Sequence, residues 1–540
     1  MLINSFRSST TPVPRTALPA CEQQPADSFR YVALGDSLTA GMQDWNLMAR
    51  GQNASYVNQF AQQARLPFQQ PLLSGNGIPP ASFLTGEASL AGTLWRYAQV
   101  GLAAAVPMAS IAAGIVPHEY LLYPLYWAGG MGHNQNRDDF QNLAIPGFEL
   151  RHLNETSNVY DFMAELKNHA HSSGNLIAVG PYLREINQAG KSAKHGLTEV
   201  DRAIAQQPDL VTLWAGNNDA LAAALAGHVD DESLTPMEDR VWTYHTYNPL
   251  TGKRTPHQTE RPVTGFRNSL VGEKGVLTRL LNETRAEVVM MNIPNVTAVP
   301  FLFKMGEKIG PLPFRLILPN GYDVTDRIED YRIPTGVRSP DDGARDHFPD
   351  GTMVGMGQLL TKIINVLTSK GDFDQAMEEM NQEQVFTEDE VLDPAELDQI
   401  QSRVEDFNGL LTEAAENPRV HLVDVNALLE QARATGVPLR GSGPEVVMGT
   451  TFTGLQTPSG AHGFFSYDGI HPSDVGQALI ANRVLDTVKA ELADKPGYER
   501  FANLESIDEK AVWKDDPHRQ VDQRPALILT NLQPASLFRF

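Results

Sequence analysis

The chain has 540 residues and a formal net charge of −22, from 43 Lys plus Arg against 65 Asp plus Glu. So acidic a chain is poorly suited to nucleic acid as its main partner, because a phosphate backbone selects for Lys and Arg. With 41% hydrophobic and 20% charged residues, its composition is that of a globular protein rather than a disordered or fibrous one. The single cysteine, Cys21, excludes an intramolecular disulfide and disfavours a cysteine-ligated metal site.

Residues 1–28 read as a tail. Arg7 and Arg15 are present, but the apolar run of about 7 to 15 residues that a secretory signal requires is not. Leu18-Pro19-Ala20-Cys21, followed by the polar Glu22-Gln23-Gln24-Pro25, resembles the lipobox of a bacterial lipoprotein, in which the cysteine is lipidated. That resemblance implies a lipid anchor at Cys21, as the sole membrane attachment, and a place in the cell envelope. A cytosolic tail with one chance cysteine is the other reading.

A main domain is expected over residues 29–496, with insertions at 44–137 and 301–417, and residues 497–540 form a C-terminal extension, of which 515–540 are expected to wrap the surface. Five short apolar runs of strand length punctuate the domain, at residues 30–34, 140–144, 209–214, 286–291 and 419–425. Helical patterns lie between them, at residues 269–285 and 394–416 among others. Strand and helix in alternation predict an α/β fold: a three-layer sandwich around a parallel five-stranded sheet. Residues 97–117 are uncharged and long enough to be tested as a membrane span, but they are rich in Ala and Gly and interrupted by Pro107. They are read as a buried or cap helix pair, or as a lid over an apolar substrate, with no transmembrane crossing. Residues 372–416 carry fifteen Asp or Glu and one basic residue, Arg403, and predict a solvated acidic helix pair.

The chemistry gathers where the runs end. The first delivers Gly35-Asp36-Ser37-Leu38-Thr39-Ala40-Gly41, a serine at a strand-to-helix turn where incoming backbone N–H groups converge. A Gly-x-Ser-x-Gly elbow is absent from the sequence, which disfavours a standard α/β-hydrolase. The second run leads to Gly147, which permits a close backbone approach, and the third to Gly216-Asn217-Asn218-Asp219, whose Asn218 amide could donate to an oxyanion. After the fifth run comes Tyr467-Asp468-Gly469-Ile470-His471-Pro472. Because a residue before proline avoids helical angles, His471 is expected in an extended loop, with Asp468 able to bond its imidazole and Pro472 in the first turn of the next helix. A second Asp-x-x-His, Asp515 and His518, follows no apolar strand and is assigned to the tail. Trp45, Tyr56 and the loop from His462 to Tyr467 either line a sugar site or pack.

These four ordered blocks resemble the SGNH hydrolase superfamily, the GDSL esterases and lipases. The nucleophile block falls on Gly35 to Gly41, the glycine block on Asn142 to Gly147, the Gly-x-Asn-Asp block on Gly216 to Asp219 and the Asp-x-x-His-Pro block on Asp468 to Pro472. Asn292-Ile293-Pro294-Asn295 and the cysteine-led N-terminus look like the envelope lipoprotein members among bacteria. The resemblance implies a flavodoxin-like strand order and a Ser37–His471–Asp468 triad. It also implies an oxyanion hole from the Ser37 N–H, the Gly147 N–H and the Asn218 amide. The expected activity is hydrolysis of carboxylic esters through an acyl-enzyme, on a small-molecule, lipid or glycan ester, with no cofactor and no metal. The alternatives are a carbohydrate O-deacetylase or acyltransferase, and a non-catalytic envelope protein that binds glycan or lipid.

Overall fold

The computed structural model describes residues 29–73, 140–157, 197–229, 233–248, 253–318, 320–338, 345–370, 373–382, 386–519 and 524–528. The lipobox-like segment with Cys21 and the apolar segment 97–117 lie outside them.

Four of the five expected runs form one parallel sheet. Its strands are β1 (Tyr31–Gly35), β2 (Leu210–Trp214), β3 (Glu287–Met291) and β4 (Val420–Val423), paired in that order. Every residue of β1 and β2 is buried, as befits parallel strands covered on both faces. The polar exceptions satisfy each other: the Tyr31 and Thr212 hydroxyls lie 2.9 Å apart.

The second run departs from expectation. Residues 140–144 contribute a single parallel bridge, Asn142 to Ala33, on the outer edge of β1 rather than a fifth strand. The Leu143 and Ile145 N–H groups donate to Ala33 and Gly35 at 2.9 and 3.1 Å. Pairing stops there because Gly147, whose N–H would come next in the ladder, turns left-handed at φ 79°.

Alternate residues of the strands face two separate cores. Val32, Leu34, Val211, Leu213, Val288 and Met290 belong to one. It also holds apolar side chains of α3 (Glu199–Gln206), α4 (Asn217–Ala226), α5 (Val276–Glu283) and α6 (Pro394–Ala414). Tyr31, Ala33, Leu210, Trp214, Val289 and Met291 join the other, with α2 (Tyr56–Gln63), α7 (Val425–Ala434) and α8 (Asp474–Glu491). The short helix α1 (Ser37–Ala40) follows β1 directly.

Three local expectations are revised. The helix expected over 269–285 is two, Phe266–Val271 and α5, separated by Gly272 and Gly275; a Cβ on Gly275 would stand 2.5 Å from the Leu270 carbonyl oxygen. Pro472 precedes the N-cap of α8, Ser473, instead of occupying its first turn. The surface wrap expected of residues 515–540 does not hold at its start, where Asp516 and His518 are buried, and ahead of them Phe501 is fully buried in the second core with Leu504, Ile507, Val512 and Trp513 packed against it. The acidic segment forms helix Phe373–Gln382 and α6, the latter started by an Asp393–Glu396 capping box. In α6, Ile400, Val404, Phe407, Leu410 and Leu411 turn inward, and Phe407 stacks on Phe266 at 3.9 Å. Among the described residues, no helix is long and apolar enough to cross a membrane.

Candidate active site

The turn after β1 leaves no room for a side chain at its first residue. A Cβ on Gly35 would come within 2.3 Å of the Trp214 carbonyl oxygen and 2.5 Å of Thr39 Oγ1. Asp36 then caps α1, its Oδ1 accepting from the Leu38 N–H at 3.0 Å, and Ser37 becomes the first helical residue at the carboxyl edge of the sheet. Asp36 Oδ2 accepts from Asn217 Nδ2 at 2.9 Å, which ties this turn to the one after β2. Burial pushes the Asp36 carboxyl up to about 6, against the pull of these two bonds.

The loop between β5 (His462–Phe465) and α8 reaches the same point. His471 Nε2 lies 2.9 Å from Ser37 Oγ, and its Nδ1 lies 2.8 Å from Asp468 Oδ2. Asp468 is anchored from every side: Oδ1 accepts from the Ile470 and His471 N–H groups at 2.8 Å, and Oδ2 also accepts from the Trp45 N–H at 2.8 Å. Burial by itself would raise this carboxyl, but the His471 charge, the ring hydrogen bond and the backbone donors outweigh it and hold the group below the ordinary carboxylate range. With an acceptor at Nδ1, the neutral form of the ring carries its proton there and presents Nε2 to the Ser37 hydroxyl. The loop closes on itself through the Ser466 N–H, which donates to the His471 carbonyl at 2.8 Å, and through Gly469 at φ 72°. Ser37 retains 7% exposure and His471 3%, so both are almost wholly covered.

The other two expected blocks meet each other. Gly147 has φ 79°, a left-handed conformation that glycine adopts freely, and the next residue's carbonyl, Phe148, accepts from Asn218 Nδ2 at 2.9 Å. That bond uses one of two amide hydrogens on Asn218. Among the described residues, neither the Ser37 nor the Gly147 N–H donates to a backbone carbonyl. Asp219 secures the same loop, Oδ2 accepting from the Leu150 N–H at 2.8 Å. Its carboxyl is pushed up to about 7, chiefly by burial and then by the charge of Glu149. Asn142 fixes the start of the loop by donating to the Thr39 carbonyl at 3.1 Å and to Gln70 Oε1 at 3.0 Å.

Sequence reasoning missed two buried acids and misassigned a histidine. Glu199, at the start of α3, lies beneath the Ser37 turn and accepts from the Gly35 N–H at 3.2 Å; burial holds its carboxyl well above the usual range. His518 is buried, not part of a surface tail, and its partners are Asp516 and Asp44 rather than Asp515. Asp44 had no local signal at all. Tyr56 packs: it is fully buried against Trp214, with its hydroxyl 3.0 Å from Thr39 Oγ1. Trp45 stands edge-on to His471, with ring centres 5.6 Å apart. Asn292, in the motif after β3, donates to Asp424 Oδ1 at 2.8 Å and braces the neighbouring loop.

Asp474, Asp516 and His518 each present a ligand-type atom within 4.8 Å of the others. Both His518 nitrogens already face carboxylates, however, and Asp474 Oδ1 accepts from Gln43 Nε2 at 2.9 Å with Arg50 3.5 Å away. The group is therefore an ion-pair network whose polar atoms serve one another. No family model, curated protein or solved structure matches the chain.

Proposed function

We propose that this chain is a serine esterase or lipase-type hydrolase of the SGNH kind, cleaving carboxylic esters through an acyl-enzyme. The observation that carries the reading is the hydrogen-bonded series Ser37–His471–Asp468 at the carboxyl edge of a parallel sheet. The bridge made by residues 140–144 outside β1 favours a flavodoxin-like order, with the second run outermost and the first, third, fourth and fifth following it.

In the reaction, His471 Nε2 takes the Ser37 proton as Ser37 Oγ bonds to the ester carbonyl carbon. Asp468 stabilises the imidazolium that results. The tetrahedral oxyanion is received by the Ser37 N–H, the Gly147 N–H and the remaining amide hydrogen of Asn218. As the carbonyl re-forms, the bond to the leaving alcohol breaks and His471 returns its proton to that oxygen. Water, activated by the same nitrogen, then releases the acid and restores Ser37. Each step is carried by protein groups and water. A sugar hydroxyl in place of that water would make the same site an acyltransferase.

The test is hydrolysis of p-nitrophenyl esters from acetyl to dodecanoyl by wild type and Ser37→Ala side by side, with fluorophosphonate labelling of Ser37. Ser37-dependent turnover and labelling are expected. A short-chain preference would point to a deacetylase or small-ester enzyme, and a long-chain preference to a lipid substrate. Silence on every ester together with no labelling would overturn the hydrolase in favour of a glycan- or lipid-binding protein. Lipidation of Cys21, after expression from a longer upstream reading frame, is checked separately by mass spectrometry for diacylglycerol on that residue.

A further inference from the structure

Residues 43–46 form a tight reversal. The Gln43 N–H donates to the Asn46 carbonyl at 3.0 Å and the Asn46 N–H returns the bond at 2.7 Å. Between them, Asp44 and Trp45 have φ of 56° and 55°. This is the pattern of a type I′ turn, which normally takes Asn-Gly because both central residues are left-handed. A bulky aromatic residue there is strained, and such strain persists only where the surroundings over-determine it.

Those surroundings come from the C-terminal segment. The Asp44 N–H donates to Ser466 Oγ at 3.1 Å, and Asp44 Oδ1 accepts from the Tyr467 N–H at 2.8 Å. His518 Nε2 lies 3.0 Å from both Asp44 oxygens, while His518 Nδ1 lies 3.0 Å from Asp516 Oδ1. Asp516 Oδ2 in turn accepts from the Val475 N–H of α8 at 3.0 Å. The strained turn is thus clamped to α8 at one end and, through the Trp45 N–H, holds Asp468 at the other.

We infer that His518 is a positioning residue for the chemistry at Ser37: by holding Asp44 it maintains the strained turn that delivers the Trp45 N–H to Asp468 and the Trp45 ring to the edge of His471. The inference rests on the triad reading above. The groups facing His518 are Asp44 and Asp516 directly, the Tyr467 ring at 4.6 Å, and Asp474 with Arg50 beyond. Burial alone would lower its pKa, but the two carboxylates outweigh burial and lift it to about 10. The clamp is therefore charged throughout the neutral range, a fixed support and not a neutral-pH switch.

The test compares wild type with His518→Gln, Asp44→Asn and, as a control, His421→Gln. His421 is likewise a buried histidine between two carboxylates, Glu287 and Glu491, but it lies away from the site. Three readouts are taken: kcat and KM on the ester found above, the acid limb of the kcat/KM profile, and the low-field imidazole N–H resonance of His471 in protein isotope-labelled at histidine. His518→Gln should lower kcat about 10- to 100-fold with KM within about twofold, move the acid limb, and shift the His471 resonance. Asp44→Asn keeps an acceptor for the Tyr467 N–H and tolerates the left-handed turn, so it should fold and show the same changes more weakly. His421→Gln should change none of the three. An unchanged kcat, acid limb and His471 resonance in a folded His518→Gln or Asp44→Asn would overturn the inference. If wild type neither turns over esters nor labels, the hydrolase reading fails by itself; the His471 resonance then still decides whether the clamp positions that ring.

Discussion

Two histidines at the same edge of the sheet sit in opposite electrostatic settings. His471 has a carboxylate on one nitrogen and a hydroxyl on the other; His518 has a carboxylate on each. The first arrangement leaves one nitrogen facing a group with a proton to give. The second locks both protons onto the ring. Both are almost fully buried, so on the proposed reading the difference between a proton carrier and a strut lies in the second partner.

The largest effects should come from breaking the first arrangement. Ser37→Ala and His471→Ala are each expected to reduce ester turnover at least about 10⁴-fold while leaving circular dichroism unchanged. A residual rate near wild type in either would remove the distinction between the two histidines. Asn218→Ala should lower kcat about 100- to 1000-fold, because in the proposed mechanism its amide donates to the developing oxyanion. Steady-state kinetics with KM little changed is the supporting outcome.

Stability should reverse the ranking. Removing His518 leaves Asp44 and Asp516 buried without their counter-charge, so His518→Gln should cost about 3–5 kcal/mol in urea unfolding. Removing His471 leaves Asp468 with three backbone donors, and His471→Ala should cost only about 1–2 kcal/mol. Equal losses would mean that both histidines are struts.

The pH dependence sharpens the contrast. The folded pKa of His518, about 10, stands above an unfolded value of about 6.5, so its stabilisation is complete below about 6.5 and is lost as pH rises through about 10. Asp468 and Asp516 are depressed, so theirs is present above an unfolded value of about 3.9 and is lost as pH falls through the folded values. Unfolding free energies of wild type minus His518→Gln should therefore shrink between about pH 6.5 and 10. The smallest effect is expected on the surface: Arg433→Ala, which breaks an exposed pair with Glu430, should change stability by less than about 0.5 kcal/mol.

What the sequence made legible was local. Asp468 and His471 are three residues apart, so their meeting needs only one loop, and the runs of β1 to β4 announce themselves because strands buried on both faces carry no polar alternation. The failures had signals of unequal strength. Gly272 and Gly275 already marked the broken helix, and Gly147 marked the turn that ends pairing after residue 145. Glu199 looks like an ordinary acid in a helix's first turn, and only the sheet above it turns it into a buried support. His518 was misread because sequence spacing offered Asp515, whereas its second partner lies 474 positions away. Strand order has no local signature of any kind.

That separation gives the protein a timetable. Ser37 leaves the ribosome early, but the histidine that would activate it lies 434 positions later, and the clamp from His518 to Asp44 spans 474. At a synthesis rate of about 5–20 residues per second, the hydroxyl waits roughly 20 to 95 seconds before its surroundings exist. A chain interrupted before His471 carries a serine with nothing to arm it.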